Sequence, residues 1–381
     1  MRTVALVVAL VACVHAGLWA LSEKKISAPD IKGLLASVSY GKKPNKQVEL
    51  SEIQSDLRAL APSTRAIRTY SSTLGLERVP QVAAEMGLRV TIGSWLGGTL
   101  DSSEWEGEGP SDWVAKGYLR EDELESKLLD SGLPDWTEAP RNKYHARLNN
   151  RKRNAAELKA VIELARKSSN IDSIIVANES IYRGETILFG DEKLTPEEVT
   201  QVQAAARVSR AEETKAKERI NVARLIKVIR EVKRQVAGTG VQVTTGEIYS
   251  VWDQDQYRNP EDAAVNLAAA VDYIAVHILP YWEGAPAESA VDAAIGGYHK
   301  LHDNNRGKRI VIAEFGWPSA GYNFKLAHPG HFEQAHIIRD FVARAHAIGI
   351  DYNIIEALDQ PWKTSEGSVG AYWGLFNDAG H

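Results

Sequence analysis

The chain has 381 residues, 44% hydrophobic and 25% charged, and its 45 Lys plus Arg against 50 Asp plus Glu leave a net charge of -5. Those fractions exclude wholesale disorder, a collagen-like repeat and a polytopic membrane protein, and the absence of a long basic run argues against nucleic acid as a partner. A single cysteine, Cys13, excludes an internal disulfide and a zinc-cysteine cluster.

At the amino terminus, Val4 to Leu21 is apolar apart from His15, and Ser22-Glu23-Lys24-Lys25 closes the run. Such a run of about 18 residues is just long enough to span a bilayer. The expected organisation is a signal anchor or signal peptide over 1–21, a linker over 22–33 and a catalytic unit over 34–381 outside the cytoplasm. An uncleaved anchor fits best. Val14-His15-Ala16 leaves a cleaved signal open, and Leu10-Val11-Ala12-Cys13 leaves a lipoprotein box open.

Eight short β-rich runs follow, in the order Leu34–Ser39, Ala66–Tyr70, Leu88–Gly93, Ser173–Ala177, Val241–Thr245, Tyr273–His277, Arg309–Ala313 and Tyr352–Glu356. Between them lie helical stretches: Leu50–Leu60, Leu76–Met86, Ala155–Arg166, Ala216–Val236, Pro260–Ala270, Ala287–Leu301 and Phe332–Ala347. Strands alternating with crossover helices predict α/β architecture, a (β/α)8 TIM barrel or a doubly wound open sheet. No Gly-rich phosphate loop follows a strand, which counts against a dinucleotide-binding sheet. Two insertions exceed ordinary connection lengths, about 99–152 after the third strand and about 187–214 after the fourth. The second reads as an exposed helical hairpin. No final helix is legible after the eighth strand.

The chemistry gathers where strands end. The fourth run leads into Asn178-Glu179 and the seventh into Glu314, so both acids stand at the carboxyl ends of barrel strands. Two carboxylates facing each other across a barrel mouth suit glycoside hydrolysis, one protonating the leaving oxygen while the other attacks or activates water. Asn178 is placed to bond a sugar hydroxyl. There are ten Trp against six Phe, and Trp95, Trp252, Trp282, Trp317 and Trp362 each follow a strand. Each alone is as compatible with core packing. Together they suit the apolar faces of sugar rings.

The motifs Val176-Ala177-Asn178-Glu179, Glu314-Phe315-Gly316-Trp317-Pro318-Ser319 and Glu356-Ala357-Leu358-Asp359-Gln360-Pro361-Trp362-Lys363 resemble those of glycoside hydrolase family 17, the β-1,3-glucanase family, and its bacterial members above all. Further matches are Ser39-Tyr40-Gly41, Arg68-Thr69-Tyr70, Thr245-Gly246-Glu247, Pro280-Tyr281-Trp282 and Tyr372-Trp373-Gly374-Leu375-Phe376, so the resemblance runs from about Ser37 to Phe376. It implies a retaining (β/α)8 enzyme with Glu179 as acid/base and Glu314 as nucleophile. Ala177 stands where the family usually has Gly, a departure expected to cost little.

Tyr40, Arg68 and Tyr70 are expected to orient the nucleophile or donor sugar, with Arg68 beside Glu314 and an apolar setting around Glu179. Glu247, His277, Tyr281, Gln360 and Lys363 are candidate partners for sugar hydroxyls, although His277 alone reads more readily as a hydrogen-bonded core residue. The resemblance implies a β-1,3-glucan transglycosylase or a plain hydrolase, attached to a bacterial inner membrane with the barrel in the periplasm. A membrane glycosyltransferase, fused or separate, is the implied partner. A non-catalytic glucan-binding barrel remains, disfavoured because both carboxylates are present. The chemistry calls for no metal and no organic cofactor.

Overall fold

The computed structural model describes residues 28–44, 46–96, 138–184 and 195–377, of which 138–152 are described as helix backbone only. Eight strands form one closed, all-parallel barrel in sequence order. They are β1 (Val38–Tyr40), β2 (Ala66–Thr69), β3 (Arg89–Ser94), β4 (Ile171–Asn178), β5 (Gln242–Ile248), β6 (Ile274–His277), β7 (Ile310–Phe315) and β8 (Asp351–Ile354). The TIM barrel expectation holds and the open sheet does not. Closure is physical: Val38 of β1 pairs with Ile67 of β2 on one side and with Ile354 of β8 on the other.

The long helices are α1 (Leu50–Leu60), α2 (Val79–Glu85), α3 (Glu138–Lys167), α4 (Pro196–Val208) and α5 (Arg210–Gln235), then, beyond the four-residue turns α6 (Tyr249–Trp252), α7 (Leu267–Ala270) and α8 (Pro280–Glu283), α9 (Ala287–Asn304) and α10 (His331–Ile348). Helix α1 buries Ile53, Leu57 and Leu60, the i, i+4, i+7 stripe that seats a helix on a sheet. In α10, Phe341 stacks on Phe315 of β7 with ring centroids 3.8 Å apart. Gly349 then ends that helix in the left-handed conformation.

The hairpin expected after β4 is present as α4 and α5, split at the extended Ser209. Thr195 and Glu198 form a capping box at its start, and Arg224 pairs with Glu198 across the two helices. The helix expected over Pro260–Ala270 is reduced to α7. Asn266 caps α7 by accepting from Ala269 and donates to Asn259 O, so local amide bonds compete with helix before that point. After β8 the chain makes a kinked 3-10 stretch, Thr364–Tyr372, and no α-helix among the described residues. The proposed membrane segment and most of the first insertion lie outside the described residues. Among the described residues, no helix is long and apolar enough to cross a membrane.

Candidate active site

The register levels the chemical side chains at one end of the barrel. His277 is the Cα partner of Glu314 across β6 and β7, and Asn178 is the partner of Gly246 across β4 and β5. The β4–β5 register shifts between Ile175 and Asn178, where Ala177 has φ 64° and Glu179 φ 55°. That irregularity turns Glu179 into the mouth. An alanine in the left-handed region costs about 1–2 kcal/mol, so the change from Gly at 177 is less innocuous than the sequence suggests. Gly246 matters for a different reason: a Cβ there would stand 2.7 Å from His277 Nε2, so only glycine leaves room for the imidazole.

At the centre, His277 Nδ1 lies 2.7 Å from Glu179 Oε1, and its Nε2 lies 3.3 Å from Glu314 Oε1. Oxygens of the two carboxylates lie within 4.8 Å of each other. Arg68, rising from β2 and buried, donates to Ala313 O and to Asn178 Oδ1, and its Nη1 sits 3.0 Å from Glu314 Oε1. Tyr70 lies against this guanidinium, 4.7 Å from Arg68 Cζ to ring centre, and its hydroxyl donates to Ser39.

The apolar setting expected for Glu179 is not found. Burial raises its pKa, but the hydrogen bond and charge of His277, and then Arg183, outweigh burial and hold the carboxyl down at about 2. Arg183 Nη2 is 3.4 Å from Glu179 Oε2, and the same guanidinium lies over the Trp95 ring at 5.0 Å. Sequence reading missed Arg183, although its i, i+4 spacing from Glu179 was visible. It also missed Tyr182, which is 62% exposed three residues beyond Glu179.

A second group adjoins Glu314. Glu356, just past β8, is fully buried and bonded by Gln360 Nε2 and by Lys363 Nζ, the latter at 2.9 Å. Burial pushes its carboxyl up to about 7, Lys363 counteracts, and Glu314 adds to the rise. Gln360 and Lys363 therefore engage a protein carboxyl that sequence reading left out. Trp362 lines a cavity of about 230 Å³ with Gly41, Gln47 and Asp359, on the β1 and β8 side.

Several expected sugar contacts are instead structural. Trp252 is buried and donates to Ala275 O; Trp317 is buried and donates to His328 O. Tyr281 is buried beneath Trp282, Trp317 and Trp373, with its hydroxyl donating to Tyr322 O. Tyr40 is buried with its hydroxyl on Asp56. Glu247 accepts from the backbone N–H groups of Ile181 and Tyr182 and is fully buried. Each has spent its polar atoms on the fold, so none offers a free face or donor to a ligand. Trp282 is half-buried and stacked on Trp373, with centroids 5.9 Å apart.

Glu179, His277 and Glu314 could nominally hold a metal ion. The two carboxylates, however, meet opposite nitrogens of one ring, and Arg68 brings a cation to Glu314. An ion on either nitrogen would keep only one of those pairings, so the donor set fits acid/base work better. A cavity of about 440 Å³ opens at the opposite end of the barrel among Arg89, Asp172, Arg309 and Asp351. Those charges are paired with each other, Arg89 with Asp172 and Arg309 with Asp351.

A closed parallel barrel with two acids and an arginine converging at the carboxyl ends of its strands defines a (β/α)8 protein of the glycosidase type. The chain belongs to the BtgE/BtgC glycoside hydrolase domain family, whose profile matches residues 144–374. It is 25% identical over 281 residues to a probable glucan endo-1,3-β-glucosidase (btgC) of Aspergillus fumigatus, covering 68% of this chain and 33% of that protein. With a probable β-glucosidase (btgE) of Aspergillus flavus it shares 28% over 144 residues, 38% of this chain and 22% of that protein. The chain thus spans about a third or less of these curated relatives.

Its fold is similar to that of a family 17 β-1,3-glucanosyltransferase of Rhizomucor miehei, with TM-score 0.58 at 21% identity over 91% of this chain and 94% of that one. An endo-laminarinase of Formosa gives 0.59 at 17% identity, over 91% and 83%. The relationship to family 17 suggested by the motifs holds.

Proposed function

We propose that this chain is a retaining β-1,3-glucan transglycosylase. The observation that carries the reading is the approach of Glu179 and Glu314 to within 4.8 Å, since retaining enzymes hold their carboxyl groups about 5–5.5 Å apart and inverting ones about 6.5–9.5 Å. Glu314 attacks the anomeric carbon, forming an ester bond as the glycosidic C–O bond breaks and the departing oxygen takes a proton from Glu179. The acceptor hydroxyl then returns a proton to Glu179 as it displaces Glu314. Arg68 holds Glu314 in place, and Asn178, its Oδ1 taken by Arg68, offers its amide nitrogen to a sugar hydroxyl.

Transfer requires an acceptor sugar to beat water at about 55 M, which binding achieves because oriented attack reaches effective concentrations of about 10⁵ M or more. With Trp252 buried, Trp95 and the exposed Tyr182 are the aromatic rings we assign to the acceptor side among the described residues. The names of the relatives support glucan as substrate, and the two endo-acting names favour hydrolysis as the second reading. In the same proposal residues 1–21 anchor the chain in a bacterial inner membrane, the barrel works in the periplasm, and a membrane glycosyltransferase is its partner. Incubation with a single laminarioligosaccharide decides between transfer and hydrolysis: early products longer than the substrate are expected. Only shorter products, with one new reducing end per bond broken at high substrate, would mean a hydrolase.

A further inference from the structure

Among the described residues, His277 is the one side chain in contact with both acids, and that position does more than pack. Its Nδ1 lies 2.7 Å from Glu179 Oε1 and its Nε2 3.3 Å from Glu314 Oε1, while Arg68 Nη2 approaches Nε2 at 3.4 Å. On the β5 side it faces only Gly246, and the nearest acid of that strand, Glu247, is turned to the Ile181 and Tyr182 amides. The far oxygen of Glu179 faces Arg183. Among the described residues, the charged groups in contact with the imidazole are therefore two carboxylates and one guanidinium. The guanidinium is matched by Glu314, which leaves Glu179 as the counter-charge for an imidazolium.

We propose, resting on the glycosidase reading above, that Glu179 and His277 act as one acid/base unit that holds a single proton, resting on the imidazole. In the first half-reaction the proton moves from His277 Nδ1 to Glu179 Oε1, and a flip of the carboxyl group presents it to the glycosidic oxygen. The C–O bond breaks, Glu314 becomes an uncharged ester, and Glu179 is again an anion beside a neutral imidazole. Net charge is conserved, because the imidazolium charge and the Glu314 charge vanish together. In the second half-reaction the acceptor hydroxyl gives its proton back through Glu179 to His277, as the Glu314 carboxylate is released. Without His277 the proton would have only the Glu179 carboxyl to rest on. The depressed pKa of Glu179 is consistent with a proton that rests on the ring.

Two measurements test this. In kcat/KM against pH on a laminarioligosaccharide, His277→Gln should move the alkaline limb down by at least about one unit, the size of a nearby-charge effect, whatever the change in its height. A purely structural histidine predicts a uniform loss with the limb unmoved, and that result would overturn the proposal. The second needs no activity: in ¹⁵N-histidine spectra of the whole chain, the His277 titration should fall by at least about one unit in Glu179→Gln. An unchanged titration would also overturn the proposal. If the wild type did not act on β-1,3-glucan, the functional reading would fail while the spectra still tested the shared proton.

Discussion

At the residue scale, the two acids have the same side-chain chemistry and different surroundings. Glu314 is held against Arg68 and His277 on a strand, whereas Glu179 sits on a turn and faces His277 and Arg183. Their replacements should differ in kind. Glu179→Ala should still form the glycosyl-enzyme from a donor with an activated leaving group, and azide should rescue its turnover because azide attacks without a general base. Glu314→Ala should form no such intermediate. Each should lose several orders of magnitude on unactivated glucan, and near-native turnover in either would dismiss the assignment. These two acids were legible because strand ends mark them. The environment of Glu179 was not, because His277 lies 98 residues away and meets it only through barrel closure.

At the element scale, the turn after β4 is shaped by a carboxyl from the neighbouring strand. Glu247 on β5 accepts from Ile181 N at 2.9 Å and Tyr182 N at 3.3 Å, directly behind the positive-φ Glu179. Burial pushes this acid up to about 8, against the lowering effect of those two N–H groups. A folded pKa above the unfolded value of about 4.3 means that the folded state binds the proton more tightly. The associated stability is complete below about pH 4.3 and is lost as pH rises toward 8. Glu247→Gln keeps an acceptor for the amides and removes the titration. Its melting temperature should therefore fall less than the wild type's between pH 5 and 8, with Glu356 leaving a residual slope. Parallel curves would show that Glu247 does not titrate there. Sequence marked Glu247 as polar and near a strand end; which way it pointed depended on β4 and β5 lying side by side.

The same dependence explains where helices were read well and where they were not. Amphipathic stripes such as Ile53, Leu57 and Leu60 declare themselves locally, and α1 has the expected bounds. The Pro260–Ala270 stretch is apolar enough for a helix, yet the Asn266 side chain donates to Asn259 O and accepts from Ala269 N, which shortens it. The Trp residues show the limit most plainly. All five follow strands, but Trp252 and Trp317 point under the loops and bury their N–H groups on carbonyls, while Trp95 stays at the rim under Arg183.

At the scale of the whole molecule, the apolar run from Val4 to Leu21 makes a prediction separable from the barrel. The intact chain should sediment with membranes and resist extraction at alkaline pH, since about 18 apolar residues can span the bilayer. A chain starting at Lys32 should stay soluble and keep its activity on laminarioligosaccharides. Recovery of the intact chain in the soluble fraction would dismiss the anchor. The sequence by itself determined the strand and helix alternation, the barrel class, the family and the two strand-end acids. All of these are written in local periodicity or in contiguous motifs. Only the tertiary structure decided which aromatic rings stay exposed, which carboxyls are buried among amides, and that one imidazole joins Glu179 to Glu314. Those outcomes depend on strand register and on bends such as the one at Ala177, which bring together side chains about 100 residues or more apart.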